Sequence, residues 1–549
     1  MESPSEQPVE IWGGLECTIN RVGNAYFDQL SYSGHRERAG DMELFASLGL
    51  KKMRYPILWE HHQPENNISI DWDATAAKLD DLRANDIAII AGLVHHGSGP
   101  AFVQIIADSF AVGLAAYAGQ VAEKFPGINY YTPVNEPLTT ARFCGLYGLW
   151  YPHKKDDAGF CRILINECKA TVLAMAAIRI VNPSAKLLQT EDLGKAHSSA
   201  ALQYQADFEN QRRWLSFDLL CGRVNSDHVL WNYLTSHGIA AGELEYFVAN
   251  PCPPDVVGVN YYLTSERYLD ECKADYPAHT HGGNGHHTYA DVEAVRVSAV
   301  RPDGLQSLLN EAWNRYQIPV AVTEVHLHCT REEQMRWLNE AWMAANNLKR
   351  MGVPIVAITP WALLGAYGWD QLLTRPGGTY EPGTFDTSGG SARSTILAEM
   401  IRAYSNNQSF EHPALMSPGW WQRPCRVAYG KEYFFQPPSG RTLAISGTRA
   451  ADLAEVCRAR CLNYIQTNEI TSDGLMPEAQ IWANITVNEY MEVRCLGRPD
   501  LVINLNAAHL YGALNAGLDL FIDGETGAWE ISHNGRTRKC MPDYLTHLL

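Results

Sequence analysis

Two glutamates, Glu136 and Glu324, each close a short apolar run: "NYYTPVNEP" and "VAVTEVHL". Beside the first stands an amide, Asn135, and other apolar runs end in further groups able to bind or ionise. In chain order these ends offer Glu16 and Asn20, Arg54, His95 and His96, Asn260 and Tyr262, and Trp361. A single carboxylate at a strand end caps the next helix or meets a surface cation as readily as it does chemistry. Two of them among aromatics, amides and an arginine suit a different task. Cleaving an acetal needs one carboxylic acid to protonate the leaving oxygen and one carboxylate facing the carbon it leaves.

The elements that would position these groups are legible as a pattern. Eight β-like runs begin near Ile11, Lys51, Ile87, Asn129, Lys186, Val256, Val320 and Val353. Each is continuously apolar at its start, as a strand buried on both faces requires, and polar or aromatic at its end. Helical segments separate them. In "DWDATAAKLDDLRAND" Asp71 is the expected cap, and Ala77, Leu79 and Leu82 the apolar face. In "EEQMRWLNEAWMAANNLKRMG" Met335, Leu338, Trp342, Ala345 and Leu348 recur at helical spacing, and Gly352 ends the run. Eight strands alternating with helices predict a (β/α)8 barrel of the α/β class, whose strand ends converge on one pocket. A doubly wound sheet is the alternative, but this region lacks its glycine-rich phosphate loop.

Composition bounds the rest. The 549 residues exceed one ordinary domain unless a large barrel carries an appendage. A formal charge of −17 argues against nucleic acid or an anionic membrane surface as partner. No apolar run suits a membrane-spanning helix, and "MESPSEQPVE" has no signal-peptide character, so a cytoplasmic protein is expected. Thirteen cysteines without a dense framework read as reduced thiols. Cys457 and Cys461 are spaced for one helical face, but no second pair joins them, so no metal and no cofactor is expected. "HTHGGNGHH", His279 to His287, reads as a mobile loop over the pocket rather than a metal site.

Several of these stretches resemble glycoside hydrolase family 1. "TPVNEP" resembles its acid/base motif and "VAVTEV" its nucleophile motif, although Val325-His326 stands where the family usually has Asn-Gly. "RYPILW", "LVHH", "DVVGVNYY" and "PWALLGAYGW" follow in the family's order, and the resemblance spans roughly residues 8 to 405. It implies Glu136 as acid/base, Glu324 as nucleophile and Asn135 as the ligand of the sugar 2-hydroxyl. It further implies that Arg54 and Tyr262 hold Glu324, and that His95 binds a ring hydroxyl. Trp361 would stack beneath the sugar, Trp369 would border it, and Asn260 would serve from the sixth strand. Asn20 falls where the family usually has Gln, and Gly368 where it has a glutamate that grips the outer hydroxyls. The implied activity is retaining hydrolysis of β-glucoside- or β-galactoside-type substrates, small or oligomeric. A transglycosidase would use the same glutamates, whereas a non-catalytic sugar-binding protein would need neither.

The chain is expected to divide into a barrel (1–405), a packed linker (406–440) rich in Pro, Gly and aromatics, and a smaller α/β unit (441–549). "TLAISGTRAADLAEV" and "LDLFIDGETGAWEISHNG" resemble Rossmann-type proteins of the dTDP-4-dehydrorhamnose reductase kind. Only Gly447 remains of the turn glycines, and no Tyr-x-x-x-Lys pair is present, so the unit reads as a reduced, inactive accessory domain.

Overall fold

A computed structural model describes residues 8–422 except 67, 298, 299 and 417, and beyond them mainly strand segments between 443 and 540. The eight apolar runs form eight strands: β1 (Glu10–Gly14), β2 (Lys52–Pro56), β3 (Ala88–His95), β4 (Tyr130–Asn135), β5 (Lys186–Asp192), β6 (Val256–Asn260), β7 (Val320–Val325) and β8 (Ile355–Pro360). All pair parallel with their sequence neighbours, and β8 returns to β1, which closes the barrel. Closure excludes the doubly wound alternative.

The helices between strands cover the barrel: α1 (Asp73–Ala84), α2 (Asp108–Lys124), α3 (Asp157–Val181), α4 (Gly304–Tyr316) and α5 (Arg331–Arg350) among them. Their inward stripes and the outward faces of the strands share one large apolar core, while Trp12, Ile90, Leu188, Val256, Ala321 and Ala357 fill a separate cluster drawn from strands alone. This is how a barrel is packed solid rather than left as a pore. In α5 the expected face is buried except for Trp342, which is partly so; Met335 and Ala345 are fully buried, and Gly352 follows at φ +88. In α1, Leu79 and Leu82 are buried, but Ala77 is exposed and Ala76 packs instead. Asp71 accepts from the Asp73 amide at 2.9 Å, yet the residue at the cap position is Trp72.

Two further expectations are corrected or refined. His281–Gly283 pairs antiparallel with Thr288–Glu293 in a four-stranded sheet that includes Arg267–Asp270 and Ala196–Ser198. The histidine-rich stretch is therefore a hairpin held by ladder bonds, not a free loop. The opening of the linker packs on α5: Trp420 and Trp421 are buried, and Trp421 Nε1 donates to Glu340 at 2.8 Å.

From 443 onward, Leu443–Gly447 lies parallel to Tyr464–Gln466 and Ile481–Ile485, and Tyr490–Cys495 and Arg498–Asn506 continue the sheet antiparallel. The turn after Gly447, most of the expected helix after it and the Cys457–Cys461 pair lie outside the described residues. Cys17, Cys144, Cys161, Cys168 and Cys252 are buried thiols. Among the described residues no helix is long and apolar enough to cross a membrane.

Candidate active site

Register brings the strand ends together. His95 is level with Asn135 across β3 and β4, Asp192 with Asn260 across β5 and β6, and Glu324 with Asn260 across β7 and β6. A register shift between Val322 and Glu324 re-aims the end of β7, a common device beside active sites. Glu136 itself leaves β4 at φ +47, in the left-handed region that non-glycine residues seldom adopt. Glu136 is 4 % exposed and Glu324 3 %.

The two carboxylates have different partners. Arg54 Nη1 donates to Glu324 Oε1 at 3.0 Å, and the Tyr262 hydroxyl donates to Oε2 at 2.5 Å. Glu136 Oε1 accepts from Asn260 Nδ2 at 2.5 Å, while His96 Nε2 stands 3.7 Å from Oε2. Asn260 is itself oriented by the Thr323 hydroxyl, which donates to its Oδ1 at 2.6 Å. Glu324 thus faces a fixed cation and a donor, and Glu136 an amide.

Arg54 is the hub. Besides Glu324 it donates to the Thr323 carbonyl and to Asn135 Oδ1, both at 2.7 Å, and its guanidinium lies 4.7 Å over the Trp361 ring. Asn135 Oδ1 also accepts from Thr190 at 2.7 Å. Arginine can only donate, so this oxygen is fixed and Asn135 Nδ2 must be the group that faces His95 Nε2 at 3.3 Å. Burial pushes the His95 imidazole well below its ordinary pKa, which keeps it neutral and able to accept there. His95 stacks on Trp361 at 5.5 Å and 8°.

Burial also raises both carboxylates. Glu324 is pushed up to about 8 by desolvation, against the pull of Arg54 and with Glu136 adding to the rise. Glu136 moves the same way for the same first reason, with the Asn260 hydrogen bond opposing. The charge on Glu136 adds to the rise of Glu324, so ionisation of the first disfavours ionisation of the second.

Arg54, His95, Asn135, Glu136, Asn260, Tyr262, Glu324 and Trp361 therefore form one connected group. Asn20 stands apart from it: fully buried, it donates Nδ2 to the Leu373 carbonyl at 2.9 Å and so ties the loop after Gly368. Trp369 is half-buried beside Trp150 and His96. Glu16, whose Oε2 accepts from Trp361 Nε1 at 3.3 Å, stands at the end of β1 and belongs to the group. Thr190 and Thr323 were not foreseen as site residues. Their position at the ends of β5 and β7 was the available signal. Gly368 has φ +73, and a Cβ there would stand 2.4 Å from the Gly377 carbonyl oxygen. This position has no room for the glutamate of the family pattern.

The barrel resembles solved structures. It is similar in fold to family 1 β-glucosidases. The family 1 β-glucosidase from Thermotoga maritima superposes with a TM-score of 0.58 at 16% identity, covering 73% of this chain and 98% of that one. The same enzyme in complex with azafagomine gives 0.59 at 16%, covering 74% and 100%. An AHE enzyme from Alicyclobacillus herbarius gives 0.57 at 19%, covering 68% and 88%. No family model and no curated protein matches the sequence.

Proposed function

We propose that the chain is a retaining β-glycosidase acting on β-glucoside- or β-galactoside-type substrates, with Glu324 as nucleophile and Glu136 as acid/base. The observation that carries this reading is the unequal company of the two carboxylates. Arg54 and Tyr262 both donate to Glu324 and favour its charged form, whereas Glu136 is held by the Asn260 amide, so the working state, populated as pH rises toward the raised Glu324 value of about 8, carries the charge on Glu324. The proton then resides on Glu136.

In the first step Glu324 attacks the anomeric carbon while Glu136 protonates the departing oxygen, leaving a glycosyl ester on Glu324. In the second, Glu136 takes a proton from water, which attacks the same carbon from the face the leaving group vacated. Asn135 would offer its Nδ2 to the sugar 2-hydroxyl, His95 would bind a ring hydroxyl and Trp361 would support the ring. An acceptor other than water would give transfer through the same steps, and product analysis distinguishes the two.

Glu324→Gly should abolish turnover of a nitrophenyl glycoside, and added azide should restore it by attacking from the vacated face. NMR of the first-formed sugar should show retained configuration, whereas an inverted anomer would sink the assignment. We also propose residues 1–405 as the catalytic unit and 441–549 as an accessory unit without nicotinamide chemistry. Micromolar NADPH binding by calorimetry would overturn the second assignment.

A further inference from the structure

Glu136 stands at an awkward place in the backbone. It has φ +47 and opens the short helix Pro137–Ala141, so neither its own amide nor that of Leu138 has an intrahelical acceptor. Pro137, between them, has no N–H to satisfy. A residue at the start of a helix ordinarily accepts from the first free amides with its own side chain, but Glu136 makes no such bond. Its carboxyl is turned to Asn260 instead. Another group must hold this backbone.

Strand β5 supplies it. The ladder pairs Tyr130 with Lys186 and Tyr131 with Leu187, and further along the side chains of three consecutive β5 residues grip the segment that follows. Gln189 Nε2 donates to the Val134 carbonyl at 3.0 Å, and the Thr190 hydroxyl donates to Asn135 Oδ1 at 2.7 Å. Glu191 Oε1 accepts from the Leu138 amide at 2.8 Å, and the Thr190 carbonyl accepts from the Glu136 amide at 3.2 Å. Gln189, Thr190 and Glu191 are fully buried, and Leu138 is 1 % exposed. Water therefore does not readily replace the Glu191 carboxyl, and its loss would leave a buried amide unanswered. Burial, with the charge of Glu136 adding, pushes Glu191 well above the usual carboxylate range. It serves here as a neutral acid that accepts through its carbonyl oxygen.

We infer that Glu191 is a positioning residue for the acid/base: by anchoring the Leu138 amide it fixes the left-handed turn at Glu136 and so aims that carboxyl at the leaving oxygen. The inference rests on the glycosidase reading above and adds a residue to it. The role is one of geometry, since a neutral acceptor contributes no charge. Misplacing a catalytic group by about 1 Å costs roughly a hundredfold in rate. A proton donor matters most where the leaving oxygen is basic, so the cost falls on poor leaving groups and spares good ones.

The test compares phenyl β-glucoside, whose leaving oxygen is basic, with 2,4-dinitrophenyl β-glucoside, whose phenolate departs without a proton. In intact Glu191→Met, kcat/KM on the phenyl glucoside should fall by about a hundredfold, and on the dinitrophenyl glucoside by less than about threefold. Because kcat/KM reports the first step, the part Glu136 plays in the second does not enter. Glu191→Gln keeps an acceptor for the Leu138 amide and should return both substrates to within about threefold of the natural chain. Glu191→Ala serves if the methionine variant does not fold. An equal fall on both substrates would overturn the inference, as would no fall on either or a glutamine variant as impaired as the methionine one. Turnover of neither glucoside by the natural chain would defeat the glycosidase reading. Crystal structures of the natural chain and of Glu191→Met then decide the positioning alone. Glu136 displaced from Asn260 in the variant supports it, and Glu136 still at positive φ and bonded to Asn260 overturns it.

Discussion

Replacing Arg54 by methionine keeps the bulk of the side chain and removes the cation at the centre of the site. Arg54 is 7 % exposed and donates to Glu324, to Asn135 and to the Thr323 carbonyl. Breaking a buried ion pair costs about 3–5 kcal/mol, because the partner charge is left without compensation. At about 1.4 kcal/mol per decade, kcat/KM should fall by roughly two to nearly four orders of magnitude. The sign on pH is fixed as well. Glu324 already sits at about 8, and losing a nearby cation disfavours its ionised form further, so the acidic limb of activity must move to higher pH. Arg54→Lys retains the charge but loses the fork to Asn135. It should hold the acidic limb near the parent position while turnover stays depressed. The assay is nitrophenol release from the β-glucoside, with kcat/KM measured from about pH 5 to about pH 10. A methionine variant within tenfold of the parent, with an unmoved acidic limb, would refute the idea that Arg54 sets the charge on Glu324.

Glu332 is 1 % exposed, neither of its carboxylate oxygens has a hydrogen-bond partner among the described residues, and burial pushes it from 4.5 to about 7. A raised acid favours the fold fully below its unfolded pKa and loses that contribution as pH rises through the folded value. Glu332→Gln should therefore flatten a loss of about 3 kcal/mol, read as melting temperature between about pH 5 and about pH 8. At Gly368, φ +73 and the Gly377 carbonyl 2.4 Å from a Cβ predict that Gly368→Ala and Gly368→Glu both lower the melting temperature by several degrees. Neither should sharpen the choice between β-glucoside and β-galactoside, contrary to what the family pattern alone suggests for the glutamate. Trp421→Ala should cost about 3–5 kcal/mol in chemical denaturation by emptying the contact with Trp337 and Glu340, and Trp421→Phe distinctly less.

Sequence alone determined the barrel and placed two glutamates at the ends of its strands. A strand buried on both faces needs a continuous apolar run, and a run that ends in a polar residue announces its own C-terminal end, so all eight strands and the groups at their tips were readable locally. The same logic misplaced Ala77, since a small residue next to an apolar stripe carries no directional signal. It also left "HTHGGNGHH" without its partner strand, because a glycine-interrupted segment has no period to read. What only the tertiary structure decided is who answers whom. Arg54 reaches Asn135 over 81 positions and Glu324 over 270, and Asn260 reaches Glu136 over 124. Thr190 and Thr323 acquire their roles in orienting Asn135 and Asn260 only when neighbouring strands align in register. The inability of position 368 to carry a side chain comes from a carbonyl nine residues away folding back upon it. Local pattern encodes which face is buried. Side-chain partnership depends on closure, register and loop return, and these are properties of the whole barrel.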